Sequence, residues 1–208
     1  MMETISIPAR IAALPVDKIG RPVPWFVEWI HGVPDFRVVG AAKIADAVRF
    51  SLCWVCGQHL GRYMTFTVGP MCAVNRTSAE PPSHQECAEF SVQRCPFLIT
   101  PAMVRRDRHL PAGTSAPAGI MLARNPGVAL LWVTRTFGLR RTPTGPLFVF
   151  GDPISVQWWA QGRQATRAEV VASIDSGLPA LQALVETDAE RTMLDGQVSK
   201  AMTLVPAA

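Results

Sequence analysis

Cys53-Trp54-Val55-Cys56 sets two thiols three residues apart, and His84-Gln85-Glu86-Cys87 sets an imidazole and a third thiol at the same spacing. Thiolate and imidazole are the donors of tetrahedral divalent metal sites, zinc above all. Gly57 directly behind the first pair lets the backbone curl so that both sulfurs meet one ion. Pro81-Pro82-Ser83 before the second pair reads as a helix start, which places His84 and Cys87 on one face of the first turn. Four such donors leave no coordination position open, and the expected cofactor is a structural zinc ion held by Cys53, Cys56, His84 and Cys87. Cys72 and Cys95 are surplus thiols, each able to replace a first-choice ligand, Cys72 for His84 foremost. The alternative cofactor is an iron-sulfur cluster on Cys53, Cys56, Cys87 and Cys95, since Pro96 follows the last of these. The same spacing argues that Glu86 points away from any ion that His84 and Cys87 share, because helix neighbours do not share a face.

These donors need elements to position them. Residues 7–14 fit one short helical turn between Pro8 and Pro15. Trp25 to Ile30 reads as a strand with which Phe36 to Val39 pairs across a turn at His31-Gly32. Ala41 to Phe50 has helical spacing, with Ile44, Ala45 and Val48 on one stripe, and it delivers the chain to Cys53. Tyr63 to Val68 is a strand ended by Gly69-Pro70, which sets Cys72 at a strand end; residues 73–82 are expected to run over the surface as a loop. A helix follows from Ser83 to about Arg94.

Downstream, a short helix is expected from Thr100 through His109, then strands at Gly119 to Ala123, Val128 to Phe137 and Leu147 to Phe150, with a loop from Arg140 to Gly145. Ile154 to Gln161 is expected as a short helix. Thr166 with Glu169 three residues on forms a capping box for a better-defined helix that Gly177-Leu178-Pro179 should break, and residues 181–204 are mostly helical with a weak point at Gly196. The expected fold is α+β: small antiparallel sheets and several short helices around a treble-clef-like zinc site. Residues 1–208 are read as one domain with sub-regions 1–50, 51–98, 99–151 and 152–208.

The 208 residues are 49% hydrophobic, enough for a sizeable core, and 18 prolines and 15 glycines spread along the chain argue for many short elements. Nothing resembles a signal peptide or a membrane span, so the expectation is a cytoplasmic protein, a compartment in which CxxC and HxxC spacings mean metal more often than disulfides. A formal net charge of +4 permits a nucleic-acid partner without requiring one. The candidates for phosphate contacts are Arg105, Arg106, Arg108, Arg140 and Arg141.

The strings CWVCG, GPMCAVNR, PPSHQEC and CPFL, and later QGRQATRAEVVASIDSG, resemble a group of bacterial and phage or prophage proteins of about this length. That resemblance implies a phage-related or mobile-element setting and brings no activity with it. The local plan also resembles His-Asn-His nucleases, with Asn75 ahead of His84 and His59 upstream, although Pro81 and Pro82 keep one helix from presenting both Asn75 and His84. Zinc deaminases use the residue types of His84-Gln85-Glu86 and Cys53-Trp54-Val55-Cys56 in the opposite order. The expectation is therefore a zinc-stabilised binding or regulatory protein with a protein or nucleic-acid partner. Its rival is a metal-dependent enzyme of hydrolase, nuclease or deaminase type.

Overall fold

The computed structural model describes residues 6–105, 108–111, 114, 117–119 and 124–207. In chain order the elements are α1 (Ala9–Ala12), β1 (Val27–Ile30), β2 (Val33–Val39), α2 (Lys43–Arg49), β3 (Met64–Val68), α3 (Pro70–Asn75), β4 (Thr77–Ser78), α4 (Gln85–Arg94) and α5 (Pro96–Ile99). There follow β5 (Ala129–Thr134), β6 (Phe137–Thr142), β7 (Gly145–Phe150), β8 (Ser155–Ala160), β9 (Arg163–Gln164), α6 (Arg167–Gln182) and α7 (Asp188–Met202). The fold is mixed α+β, and the described residues form three small antiparallel sheets ordered β1-β2, β3-β5-β8-β9 and β4-β7-β6. No helix among the described residues is long and apolar enough to cross a membrane.

Strand β5 is the spine, because all six of its residues are buried and its two faces feed different cores. Leu130 and Trp132 join Phe66, Phe148, Phe150 and Trp158 in the main core, which α6 closes with Val170 and Ile174. Ala129 and Leu131, on the opposite face of the pleat, pack against Ala88 and Val92 of α4. Helix α4 is thereby fixed to the back of the sheet, and its first turn is presented to the cysteines.

Helix α6 begins as its sequence demands: Thr166 Oγ1 accepts from the Glu169 amide at 3.3 Å, and the Glu169 carboxylate accepts from the Thr166 amide at 2.8 Å. It does not break at Pro179, which lies inside the helix. Gly177 is buried so closely against Met71 of α3 that a Cβ there would meet the thioether at 2.9 Å. Packing at that crossing outweighs the local cost of the proline.

Four further expectations are corrected. Ile154 to Gln161 is not a helix: strand β8 lies along β5, with Trp158 and Ala160 turned into the core and Trp158 Nε1 donating to the Leu204 carbonyl at 2.9 Å. The run from Val128 breaks after Thr134, where the buried Thr134 hydroxyl shares its one proton between the Thr136 and Asp152 carbonyls, each at 3.0 Å, and turns the chain into β6. Arg140 and Arg141 consequently lie in β6 and not in a loop. Residues 73–82 are not simply a surface loop: α3 runs from Pro70 to Asn75 with Met71, Ala73 and Val74 buried, β4 follows at Thr77–Ser78, and Cys72 stands on a helix and not at a strand end.

The expected helix from Thr100 is irregular where described. Ala102 and His109 have positive φ, and Val104 bridges to Arg124. The side-chain amide of buried Asn125 shares its two protons among the carbonyls of Phe97, Leu98 and Thr100, at 2.6, 3.2 and 2.9 Å, and these contacts hold the exit of α5 in a non-helical path. The strand expected at Gly119 to Ala123 falls, beyond Gly119, outside the described residues.

Candidate metal centre

The first half of the centre is a tight turn closed by its own backbone. Cys53 donates to the Gln58 carbonyl at 2.8 Å, Gly57 to the Cys53 carbonyl at 2.9 Å, and Leu60 to the Ser51 carbonyl at 2.7 Å. Gly57 has φ +71°, and a Cβ there would meet the Trp25 ring at 2.5 Å, so both conformation and space demand glycine. The Trp25 amide in turn donates to the Val55 carbonyl at 2.7 Å, which ties the turn to the N-terminal segment.

The second half is delivered by β3. Ser83 exchanges both backbone hydrogen bonds with Thr65, at 2.8 and 2.9 Å, and the Trp54 amide donates to the Pro82 carbonyl at 3.1 Å. The chain is thus pinned just ahead of His84, the N-cap of α4, whose ring is turned to the thiols and gives no capping bond. Cys87 sits in the first helical turn, fully buried, among Ile11, Val55, Leu14, Leu60 and Phe90.

These supports bring the Sγ atoms of Cys53, Cys56 and Cys87 and a ring nitrogen of His84 within 4.8 Å of one another. In a tetrahedral zinc site with Zn–S near 2.3 Å and Zn–N near 2.0 Å, sulfurs stand about 3.8 Å apart and a nitrogen about 3.5 Å from a sulfur. His84 Nδ1 is 3.4 Å from Cys56 Sγ. His84 Nε2 lies 2.9 Å from the His59 carbonyl oxygen, which can only accept, so Nε2 carries the proton and Nδ1 offers its lone pair to the thiols. Cys53 Sγ also accepts from the backbone amides of Cys56 and His84, at 3.5 and 3.3 Å.

Among the three thiols Cys53 ionises most readily, because the Cys56 and Cys87 side chains and two backbone amides donate to its sulfur. The Cys56 and Cys87 thiols are pushed up, first by their hydrogen bonds to Cys53. Three thiolates at this separation repel unless a cation lies between them, so the donor set suits a dication, and the four residues can hold a metal ion.

The remaining candidates lie elsewhere. Cys72 faces a cleft from α3, its thiol pushed up to about 11 by burial. Cys95 caps the far end of α4; with eight residues at 1.5 Å rise it stands about 12 Å along the axis from Cys87, too far to complete a cluster with Cys53 and Cys56. Asn75 is occupied with Thr77, accepting from its amide at 3.0 Å and its hydroxyl at 2.8 Å. Glu86 is exposed and accepts from Arg10 at 2.8 Å, pointing away from the thiols.

Of the basic residues, Arg105, Arg140 and Arg141 line one cleft of about 1490 Å³. Arg108 is exposed and not part of its walls, and Arg106 lies outside the described residues. The supports that sequence reasoning missed are Ser83 with Thr65, the His59 carbonyl and Trp25. Each is a long-range contact with no local signal, except that Gly57 behind CxxC already announced a close approach of backbone.

No protein-family model, no curated protein and no solved structure matches this chain.

Proposed function

We infer that the chain is a zinc-stabilised binding or regulatory protein of phage or mobile-element type. The observation that carries this reading is the closed donor set: three thiols and one imidazole satisfy a tetrahedral zinc ion and leave no position for water or substrate. A treble clef sets a knuckle like the turn at Cys53–Gly57 against the first turn of a helix like α4; here β3, α3 and β4 stand between the two, where that plan has a local hairpin. Zinc suits the set better than an iron-sulfur cluster, since the fourth thiol that a cluster requires is held away at Cys95. Glu86, the residue that a deaminase-like site needs beside an open position, is paired with Arg10 instead.

Elemental analysis of purified protein is the direct test, with one zinc per chain expected. Cobalt substitution should give the visible bands of a tetrahedral three-sulfur, one-nitrogen site, and His84→Cys should shift them toward those of a four-sulfur site. Iron with labile sulfide, or hydrolytic turnover that disappears in Glu86→Gln while the metal stays, would reverse the reading in favour of a redox protein or an enzyme.

A further inference from the structure

The cleft lined by Trp54 is strongly cationic. Seven cationic side chains line it with the carboxylates Glu28 and Glu80, and Asp35 pairs with one of the seven, so seven cations stand against three carboxylates, an excess of four. Two of the cations are offset. Arg37 pairs with Asp35 at 2.6 Å, and Arg105 faces Glu80. The other five meet no carboxylate within ion-pair distance among the described residues. Lys43 lies over the Trp25 ring at 4.0 Å and Arg49 over the Phe50 ring at 5.0 Å, contacts that hold the cation without neutralising it. Arg124 donates only to Ser176. Arg140 and Arg141 are exposed on β6 and make no side-chain bond to the described residues.

Crowded cations repel one another, and a fold that gathers seven of them against three carboxylates in a concavity gains most from an anion that spans them. The cleft's 1490 Å³ exceeds the roughly 300–1,000 Å³ of small-ligand pockets, so the fitting anion is extended. Phe26, Phe36 and Phe97 also line it; Phe36 is 42% exposed, with the Arg21 guanidinium 5.2 Å over its ring, so an aromatic surface stands beside a further cation. A positively charged groove with aromatic faces is what tracks a single strand, whereas reading a duplex groove needs a protruding helix or strand. An acidic peptide would use the charges and leave the ring faces idle.

We propose that this cleft binds single-stranded nucleic acid, its phosphates against Lys43, Arg49, Arg124, Arg140 and Arg141 and its bases against Phe36. The proposal rests on the reading of the chain as a binding protein and names the partner. It is tested on the full chain with a fluorescent deoxythymidine oligomer of about 16 nucleotides, at the upper end of what one small domain covers. The comparators are the same length of duplex and a polyglutamate peptide.

The oligomer should bind at about 50 mM salt and weaken steeply as salt rises. The double variant Arg140→Glu/Arg141→Glu should lose at least tenfold in affinity and flatten the salt slope by about 1.4, the value for two single-strand phosphate contacts. Phe36→Leu should lose severalfold at an unchanged slope, while Arg191→Glu, on the exposed face of α7, should change nothing. Absence of oligomer binding, a double variant within twofold of the parent, or tighter binding of the duplex or the peptide would overturn the proposal. Zinc is measured on the same samples: a chain that holds zinc and binds no oligomer sinks the cleft alone, and one that lacks zinc and binds it sinks only the zinc reading.

Discussion

His84 Nε2 and the carbonyl oxygen of His59 stand 2.9 Å apart, and this one contact decides which face of the imidazole the thiols meet. It fixes the ring through a backbone atom, so no substitution of the His59 side chain should release it. His84→Ala removes both the donor and the anchor. Loss of metal and a fall in stability of several kcal/mol are expected, because the binding free energy of such sites, on the order of 10 kcal/mol, is largely folding free energy. Cys53→Ser should behave alike. Chemical denaturation with and without a chelator checks both, and His59→Ala should leave the transition and the metal content unchanged.

Glu86→Gln should retain metal and fold, with a stability change within about 1 kcal/mol, since its pair with Arg10 is exposed on both sides. Paired denaturation curves and elemental analysis measure this.

Gly57→Ala places a Cβ on a residue at φ +71° and against the Trp25 ring at 2.5 Å. A loss of about 1–3 kcal/mol is expected, in the upper range for a single substitution, with weakened metal retention because the turn carries both Cys53 and Cys56. An unchanged melting temperature would mean that the turn and Trp25 are not locked together.

Asn125→Ala should cost about 2–4 kcal/mol, since its amide serves three carbonyls at the end of α5 and burial leaves them no water. Asn125→Asp should be no better, because the carboxylate cannot donate. Thermal melts of the two variants test this.

The acid side of the stability curve should carry the signature of Glu169. The Arg163 guanidinium, followed by the Thr166 amide, holds its carboxyl at about 2, below the ordinary 4.5. A group whose folded pKa is depressed stabilises the fold above its unfolded pKa and loses that contribution as pH falls through the folded one. The contribution of Glu169 is therefore complete above about 4.5 and gone near 2, and solvent screening keeps it modest. Denaturation at stepped pH should show Glu169→Gln less stable at neutrality and convergent with the parent at the acid end.

What could be read from the chain was whatever local chemistry dictates. Thr166 and Glu169 announce a helix start because both capping bonds form within four residues, and Cys53 to Gly57 announces a knuckle because thiol spacing and glycine sit together. Trp158 and Trp159 read as helical because nothing within their segment reveals that β5, whose Leu130 and Ala129 become their partners, offers them an edge. Pro179 reads as a stop, and packing with residues far away in sequence, Gly177 against Met71 and Leu178 and Leu181 against the main core, carries the helix past it. Arg140 and Arg141 look like loop residues until β7 supplies the pairing that makes them a strand. In the site, the four donors were legible as a set, whereas Ser83, Thr65 and the His59 carbonyl act through contacts that have no signature in spacing.

Between Cys56 and His84 the chain lays down β3 and α3, and Phe66, Val68, Met71 and Val74 from that stretch belong to the main core shared with α6 and α7. The metal centre therefore has no portable version. A fragment of residues 51–98 would carry all four donors and a bare apolar face with nothing to cover it, which favours aggregation over folding. Transplanting the turn and α4 into another scaffold would need β5 as well, because β3, which carries the Thr65 bridge to Ser83, pairs along its whole length with β5. Loss of the ion and loss of the core should accordingly coincide in one cooperative transition. Truncations that spare every cysteine but remove β5 should cost the chain its metal.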